Sequence, residues 1–258
     1  MWFRQYLSSR SLKKLKRMST FSSTAPTTPF KGGIVFLHGS GDTGEGLLSW
    51  INGTHETFLK SLAEKGFEVS FPSATPRRYS LFGGEIANVW HDRTDLAITC
   101  NEDTEGVLKS MLVVDREIEG FIARGVPAEH VFVFGLSMGG HLALQTMCHS
   151  KYRGQLAGVV GLSCFLSTTS PAWDILQGII KESKGGSGVA TPPVCMMHGQ
   201  ADAMVPCQWG EVTSNRLKDI GMSVQFGIIP RLGHDLAHSE LQHVLDWISE
   251  LCTAKQAE

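Results

Sequence analysis

Short apolar runs alternate with amphipathic stretches from about residue 31 to the end of the chain. Six runs rich in β-branched and aromatic residues predict strands: GGIVFLHG, FEVSFPSA, HVFVFGLS, LAGVVGLSC, PPVCMMHGQAD and SVQFGIIPRLGH. Helical periodicity predicts helices over residues 102–124, 138–149, 206–220 and 237–252, with Asn101 as the N-cap of the first. This alternation predicts an α/β fold with a mostly parallel central sheet and helices on both faces.

The length and composition favour one domain. The chain has 258 residues, of which 42% are hydrophobic and 19% charged, so it can bury one large α/β core. We expect that domain over residues 31–252, after a basic leader over residues 1–30 and before a C-terminal tail over residues 253–258. KGGSGVATPP, from residue 184, predicts a flexible loop inside the domain. Residues 72–101 are irregular in pattern and are expected to lie over one end of the sheet.

The leader is basic and contains no acidic residue. Seven of the 23 Lys and Arg residues precede Asp42, the first of the 25 acidic residues. Such a composition is typical of a mitochondrial transit peptide and equally of a disordered basic tail, and a start at Met18 would remove most of it. We expect a cytoplasmic protein, with mitochondria as the alternative. A net charge of −2 does not indicate nucleic-acid binding, and no apolar run approaches the roughly 20 residues of a transmembrane helix.

The cysteines and histidines give no metal signature. The six cysteines are scattered without a C-x-x-C pair, which predicts reduced, mostly buried thiols and neither a disulfide framework nor a zinc site. His234 and His238 are four residues apart, but PRLGH places His234 in a loop, and no third ligand follows at a convincing spacing. We therefore expect no metal.

FVFGLSMGGHLAL contains the sharpest chemical signal. G-x-S-x-G occurs at Gly135, Ser137 and Gly139, directly after a predicted strand and directly before a predicted helix. A nucleophile elbow requires this context, since the turn is too tight for side chains beside the serine. We predict that Ser137 is a nucleophile and that the amide of Met138 faces developing negative charge; a glycine-rich strand–helix turn is the alternative.

A serine nucleophile needs a base and an orienting carboxylate, which in this type of fold follow in the order Ser, acid, His. Asp202 lies just past the fifth predicted strand, and His234 follows the sixth. Both positions are at carboxyl ends of strands, where open α/β sheets build their sites. Other candidates, which we expect to be structural or surface residues, are His38, Asp92, Asp95, His141, His198 and Asp235.

A G-x-G-x-x-G spacing at Gly39, Gly41 and Gly44, in IVFLHGSGDTGEG, permits two main interpretations. A dinucleotide-binding loop requires an acidic residue at the end of the next strand, but Glu68 stands at its start. HGSG is instead typical of an H-G-x-G oxyanion loop, in which the backbone amide of Ser40 turns toward the site. We predict an oxyanion loop; a tight structural turn is the remaining alternative.

Six motifs together carry a family resemblance. FLHGSGDTGEG, NVWHDR, FGLSMGG, LSCFL, HGQADAMVP and GH resemble the acyl-protein thioesterase family of serine hydrolases, also called the phospholipase/carboxylesterase family. The resemblance covers roughly residues 31–252 and implies an α/β-hydrolase fold. Acyl-protein thioesterases usually carry Leu where this chain has Ser40 and Gln where it has Met138, so these residues favour the lysophospholipase-like branch.

The resemblance implies a set of site residues. Ser137 is the nucleophile, His234 the general base and acid, and Asp202 the orienting carboxylate. The backbone amides of Ser40 and Met138 form the oxyanion hole. Trp90 lines the substrate pocket in this interpretation, with a core aromatic as the alternative.

We expect a cofactor-free serine hydrolase that cleaves acyl thioesters or esters, with an acylated protein or a small acyl ester as substrate. One alternative is a lysophospholipase or short-chain carboxylesterase. A more distant one is a non-catalytic binding module on the same fold, which the intact Ser, Asp and His disfavour. Nothing in the sequence indicates the oligomeric state.

Overall fold

The computed structural model describes residues 32–184 and 190–256. The predicted leader over residues 1–30, most of the loop predicted from residue 184 and the end of the predicted C-terminal tail lie outside the described residues. Within the described part of the chain, no helix is long and apolar enough to cross a membrane.

Six parallel strands form the central sheet, which confirms the predicted fold class. The strands in chain order are β1 (Gly32–Leu37), β2 (Phe67–Ser70), β3 (Pro76–Tyr79), β4 (Glu85–Asn88), β5 (Val131–Leu136), β6 (Gly158–Leu162), β7 (Val194–Gly199) and β8 (Val224–Ile229). The sheet has the order β2-β1-β5-β6-β7-β8, and every neighbouring pair in it is parallel. β3 and β4 form a separate antiparallel hairpin.

Helices cover both faces of this sheet. They are α1 (Gly44–Thr54), α2 (Glu56–Glu64), α3 (Thr104–Ala123), α4 (Met138–His149), α5 (Ala172–Lys184), α6 (Cys207–Asp219) and α7 (His238–Gln256). Because successive strand residues point to opposite faces, Val35 and Val133 pack with α3 to α6, whereas Ile34 and Phe132 pack with α1, α2 and α7. Burial on both faces explains why the strand sequences are continuous apolar runs.

The helix α1 was not predicted, because three of its eleven residues are glycines, which are poor helix formers. It is secured by its N-cap, Thr43, whose hydroxyl accepts a 3.0 Å hydrogen bond from the Gly46 amide. Gly44 is required by packing, since a Cβ there would lie 1.8 Å from the carbonyl oxygen of Phe71. The helices α2 and α5 were also not predicted.

The start of α3 corrects the sequence prediction. The helix begins at Thr104, and its N-cap is Asp103, not Asn101. The Asp103 carboxylate accepts the Gly106 amide at 2.9 Å and the Asp92 amide at 2.8 Å. Because Asp103 accepts both amides, it joins the start of the helix to the segment that precedes it. The spacing of residues in the sequence does not reveal this second hydrogen bond. That segment, predicted to be irregular, contains the β3–β4 hairpin.

Candidate active site

Ser137 occupies a strained turn between β5 and α4. Its φ of 55° and ψ of −116° lie outside the regions that ordinary residues favour, as expected of a nucleophile elbow. The flanking glycines are required by packing. A Cβ on Gly135 would lie 2.0 Å from the Gly139 carbonyl oxygen, and one on Gly139 would lie 2.3 Å from that of Leu37. The close approach of β5, α4 and β1 thus presents Ser137 at the carboxyl end of the sheet.

Asp202 and His234, both predicted site residues, are hydrogen-bonded to each other. The His234 Nδ1 lies 2.7 Å from the Asp202 Oδ2, and the other oxygen of Asp202 accepts the amides of Met204 and Val205 at 2.9 Å each. A carboxylate can only accept, so Nδ1 carries the hydrogen and the neutral ring has its lone pair on Nε2. The Asp202 side chain is fully buried, whereas the His234 side chain is 11% exposed.

The charge of Asp202 is stabilised by its neighbours. Burial opposes ionisation, but hydrogen bonds from His198 and His234 outweigh burial and hold the pKa of this carboxyl far below its ordinary value. A carboxylate that stays ionised and holds the Nδ1–H tautomer of histidine is the arrangement that a general-base histidine requires.

Backbone hydrogen bonds bring the ends of neighbouring strands together. The Ser137 amide donates to the Leu162 carbonyl at 2.8 Å, and the Gln200 amide donates to the Ile229 carbonyl at 2.9 Å. A Cβ on Gly199 would lie 2.4 Å from the Gly233 carbonyl oxygen, so the Asp202 turn lies directly against the His234 loop. Ser137, Asp202 and His234 therefore all follow strands at the carboxyl edge of the sheet, as the sequence order predicts.

The predicted oxyanion loop after β1 is fixed by His38. Its Nε2 accepts the Ala74 amide at 2.9 Å, and its Nδ1 lies 2.7 Å from the Gly39 carbonyl oxygen. This pattern requires the hydrogen on Nδ1 of a neutral ring. Burial lowers the pKa of His38, which agrees with that state. Gly41, whose φ is 79°, donates its amide to the Asn88 carbonyl at 2.9 Å. The loop thus has little freedom to move.

The amides predicted to bind an oxyanion are free to do so. Within residues 32–184 and 190–256, neither the Ser40 amide nor the Met138 amide donates a hydrogen bond to another group. The loop lies beside the serine, because a Cβ on Gly39 would be 3.5 Å from the Ser137 Cβ. Met138 begins α4, so its amide also lies at the positive end of a helix.

Trp90 is a buried residue behind this loop. It has no exposed surface, its indole N–H donates to the His38 carbonyl at 2.9 Å, and its ring lies 4.8 Å from the His38 ring. These contacts match the alternative of a core aromatic, and its predicted place in the substrate pocket stays a prediction.

His198 also contacts Asp202, although the sequence predicted only a structural or surface role for His198. It is fully buried at the end of β7, with Nε2 2.8 Å from the Val205 carbonyl oxygen and 3.4 Å from the Asp202 Oδ2. The signal for this contact was the spacing in HGQAD, where the acid comes four positions after a histidine at the end of a strand.

The remaining candidates lie elsewhere. Asp92 accepts the backbone amide of Ser80 at 2.7 Å, and His141 contacts Glu102 at 3.2 Å. No cluster of three or more metal-ligating side chains occurs among the residues that the structure describes. All six cysteines are free thiols, five of them buried.

Comparison with known proteins identifies relatives over most of the chain. Mouse lysophospholipase-like protein 1 is 32% identical over 87% of this chain and 88% of its own length. A probable inactive carboxylesterase from Oryza sativa is 31% identical over 91% of this chain and 89% of its own. The crystal structure of Zea mays acyl-protein thioesterase 2 superposes with a TM-score of 0.69, at 28% identity over 88% of this chain and 96% of its own. Residues 19–252 match the phospholipase/carboxylesterase family, so the chain belongs to that family.

Proposed function

We propose that this protein is a serine hydrolase that cleaves acyl thioesters or esters through Ser137, His234 and Asp202. The 2.7 Å hydrogen bond between the His234 Nδ1 and the Asp202 Oδ2, at the sheet edge where the Ser137 elbow also lies, is the observation that carries the proposal. Two names support this reaction class: that of the Zea mays acyl-protein thioesterase and that of the phospholipase/carboxylesterase family.

The first half-reaction acylates the serine. The Ser137 Oγ attacks the acyl carbonyl carbon while the His234 Nε2 accepts its proton, and the charge of Asp202 stabilises the imidazolium that results. The carbonyl oxygen becomes an oxyanion that accepts hydrogen bonds from the amides of Ser40 and Met138. The tetrahedral intermediate then collapses, the bond to the leaving thiol or alcohol breaks, and His234 returns the proton to that group.

The second half-reaction releases the acid. Water gives a proton to His234 and attacks the acyl carbonyl of the ester on Ser137, and the same two amides bind the second oxyanion. Collapse of this intermediate returns the proton to Ser137 and frees a carboxylic acid. All charge that develops is met by side chains and backbone amides of the chain, so the mechanism needs no cofactor.

Labelling with a fluorophosphonate probe tests the proposal, together with hydrolysis of 4-nitrophenyl esters of increasing acyl length. We expect wild type to label and to hydrolyse at least the short esters, and Ser137→Ala to lose both. Ser249→Ala, the same substitution on the distant α7, should keep both. A folded wild-type protein that neither labels nor hydrolyses any ester would contradict the proposal.

Two other functions remain as alternatives. A lysophospholipase or short-chain carboxylesterase would use the same residues, and the dependence of the rate on acyl length separates it from an enzyme that removes long acyl groups from proteins. A non-catalytic binding module is favoured by one observation, the relative named a probable inactive carboxylesterase. Absence of probe labelling would support that module.

The substrate and location follow from the same proposal. We propose an acylated protein or a small acyl ester as substrate. We also propose that residues 31–252 form the single domain that binds and cleaves it. The cytoplasm is the proposed location, with mitochondria as the alternative if residues 1–30 act as a transit peptide.

A further inference from the structure

A second group of buried polar side chains lies near the first turn of α4. We call it the Arg93 cluster; it comprises His91, Arg93, Glu102, His141 and Gln145. His141 is one turn beyond the nucleophile, and its amide donates to the Ser137 carbonyl at 3.0 Å. The His91 and His141 rings are 4.5 Å apart. None of the five residues belongs to the mechanism proposed above.

The acidic member of the cluster is already occupied by other donors. One oxygen of Glu102 contacts the His141 Nε2 at 3.2 Å, the Gln145 amide group at 2.5 Å and the Ser170 hydroxyl at 2.7 Å. Burial lowers the pKa of both His91 and His141, so both rings are neutral near pH 7. The positive charge of the cluster therefore resides on Arg93.

Arg93 is buried without an anionic partner. The residue is only 7% exposed, yet its guanidinium has no carboxylate within 4.0 Å among the described residues, and its Nε has no hydrogen-bond partner there. Its guanidinium carbon lies 5.1 Å from the centroid of the Phe165 ring, a cation–π contact that does not neutralise the charge. An unpaired buried charge is costly, so such a group is expected to meet an anion during function.

The surroundings of Arg93 include both sides of the candidate active site. Phe165 packs in a small apolar cluster with Cys100 and with Val205, whose amide binds Asp202. On the other side, burial raises the pKa of the Tyr79 hydroxyl, and both the charge of Arg93 and the Ser40 side chain act against that rise. Arg93 thus lies between the turn that holds Asp202 and the loop that holds the predicted oxyanion amide.

We propose that Arg93 binds an anionic group, a carboxylate or a phosphate, carried by the substrate close to its scissile acyl bond. A guanidinium donates two parallel hydrogen bonds to such oxygens, and the low exposure of Arg93 strengthens that bond. The inference rests on the proposed function and narrows it, since it makes the preferred substrates anionic esters or thioesters. The anion belongs either to the acyl chain or to the leaving group.

Matched pairs of esters test this proposal and distinguish the two sources. The first pair is the 4-nitrophenyl monoester of glutarate and the 4-nitrophenyl ester of pentanoate, which differ in the terminal carboxylate of a five-carbon acyl chain. The second is a 1-acylglycerol 3-phosphate and the monoacylglycerol with the same acyl chain. In wild type, kcat/KM should favour the anionic member of at least one pair, and the favoured pair identifies the source.

Substitution of Arg93 should abolish that preference. In Arg93→Met, which keeps an apolar chain over Phe165, the ratio of kcat/KM for the anionic to the neutral ester should fall about 10- to 100-fold, as expected for a lost charge-assisted hydrogen bond. Arg93→Lys should restore part of the ratio. Arg124→Met is the matched control, because Arg124 also lies over a phenylalanine, Phe121, but is paired with Glu68 at 3.0 Å. The control should leave the ratio unchanged.

The outcomes separate this inference from the proposed function. Hydrolysis of neutral esters with no preference for the anionic member of either pair would overturn the role of Arg93 and leave the hydrolase intact. If Arg93→Met lowers kcat/KM equally for both esters of a pair, the role of Arg93 in anion binding is also overturned. Arg93 would then serve to balance the negative charge of Glu102, from which it is separated by His141. Failure of folded wild type to label at Ser137 would overturn the proposed function itself.

Discussion

Two groups of buried polar side chains near the carboxyl ends of the strands differ in how far their hydrogen-bonding capacity is used. Around Asp202, both carboxylate oxygens have partners, and the His198 Nδ1 is the one buried side-chain atom of Asp202, His198 and His234 that lacks a partner among the described residues. In the Arg93 cluster, buried atoms without partners among the described residues occur on five side chains: His91, Arg93, Glu102, His141 and Gln145. A satisfied network fixes tautomers and orients catalytic groups, whereas an unsatisfied one keeps capacity for something that arrives from outside.

The largest expected effect comes from replacing Asp202, the acid at the centre of the first group. Asp202→Asn should lower kcat for a 4-nitrophenyl ester by roughly 10³- to 10⁴-fold, because an amide no longer enforces the productive tautomer of His234 or stabilises its charged form. Asp95→Asn makes the same change at an exposed aspartate outside the proposed mechanism, and it should keep wild-type activity. Retention of more than a tenth of the activity in folded Asp202→Asn would remove Asp202 from the mechanism.

The same substitution in each group tests the comparison directly. His198→Leu leaves the Val205 carbonyl without its donor and Asp202 without one of its neighbours, so it should lower the free energy of unfolding by about 1–3 kcal/mol. His91→Leu also removes a backbone contact, since the His91 Nδ1 lies 2.9 Å from the Asp92 carbonyl oxygen, but it removes no contact with a carboxylate. Its loss should therefore be smaller than that of His198→Leu by about 1 kcal/mol. Urea unfolding of both variants at pH 7.5 measures the difference. Equal losses would show that the two groups do not differ as described.

A smaller effect is expected in the pH dependence of stability. Burial, together with His141 and Arg93, lowers the pKa of His91 well below its ordinary value. Below pH 6.5 the unfolded chain binds a proton that the folded chain does not, so the contribution of His91 to stability is lost as the pH falls. His91→Leu should therefore lose less stability than wild type between pH 7.5 and 5.5, by up to about 1.4 kcal/mol. Identical slopes would contradict the assignment.

The sequence predicted the parallel sheet well because apolar strands, glycine-bounded turns and alternating helices are local patterns. It missed α1, whose glycines mask a helix and include Gly44, which is required by packing against Phe71. It also misplaced the start of α3, where Asp103 gains a second partner in the Asp92 amide. In both places tertiary contacts override local propensity.

The candidate site was predictable where it follows motifs and strand order, as with Ser137, Asp202 and His234. The Arg93 cluster was not predictable, because its residues come from three separate places in the chain. These are the motif NVWHDR, the position of Glu102 just before α3, and α4. No spacing rule links Glu102 to His141 or Arg93 to Phe165. Those contacts depend on how the segment before α3 packs over the sheet, which only the folded structure shows.

The central claim, covalent catalysis by Ser137, is tested most directly by trapping the acyl-enzyme. Wild type mixed with a 4-nitrophenyl ester, acid-quenched within milliseconds and analysed by mass spectrometry should gain the mass of one acyl group, located on the peptide that contains Ser137. Ser137→Ala should gain none and release no 4-nitrophenol in the initial burst. An acyl group on a different residue, or undiminished turnover by Ser137→Ala, would contradict the claim.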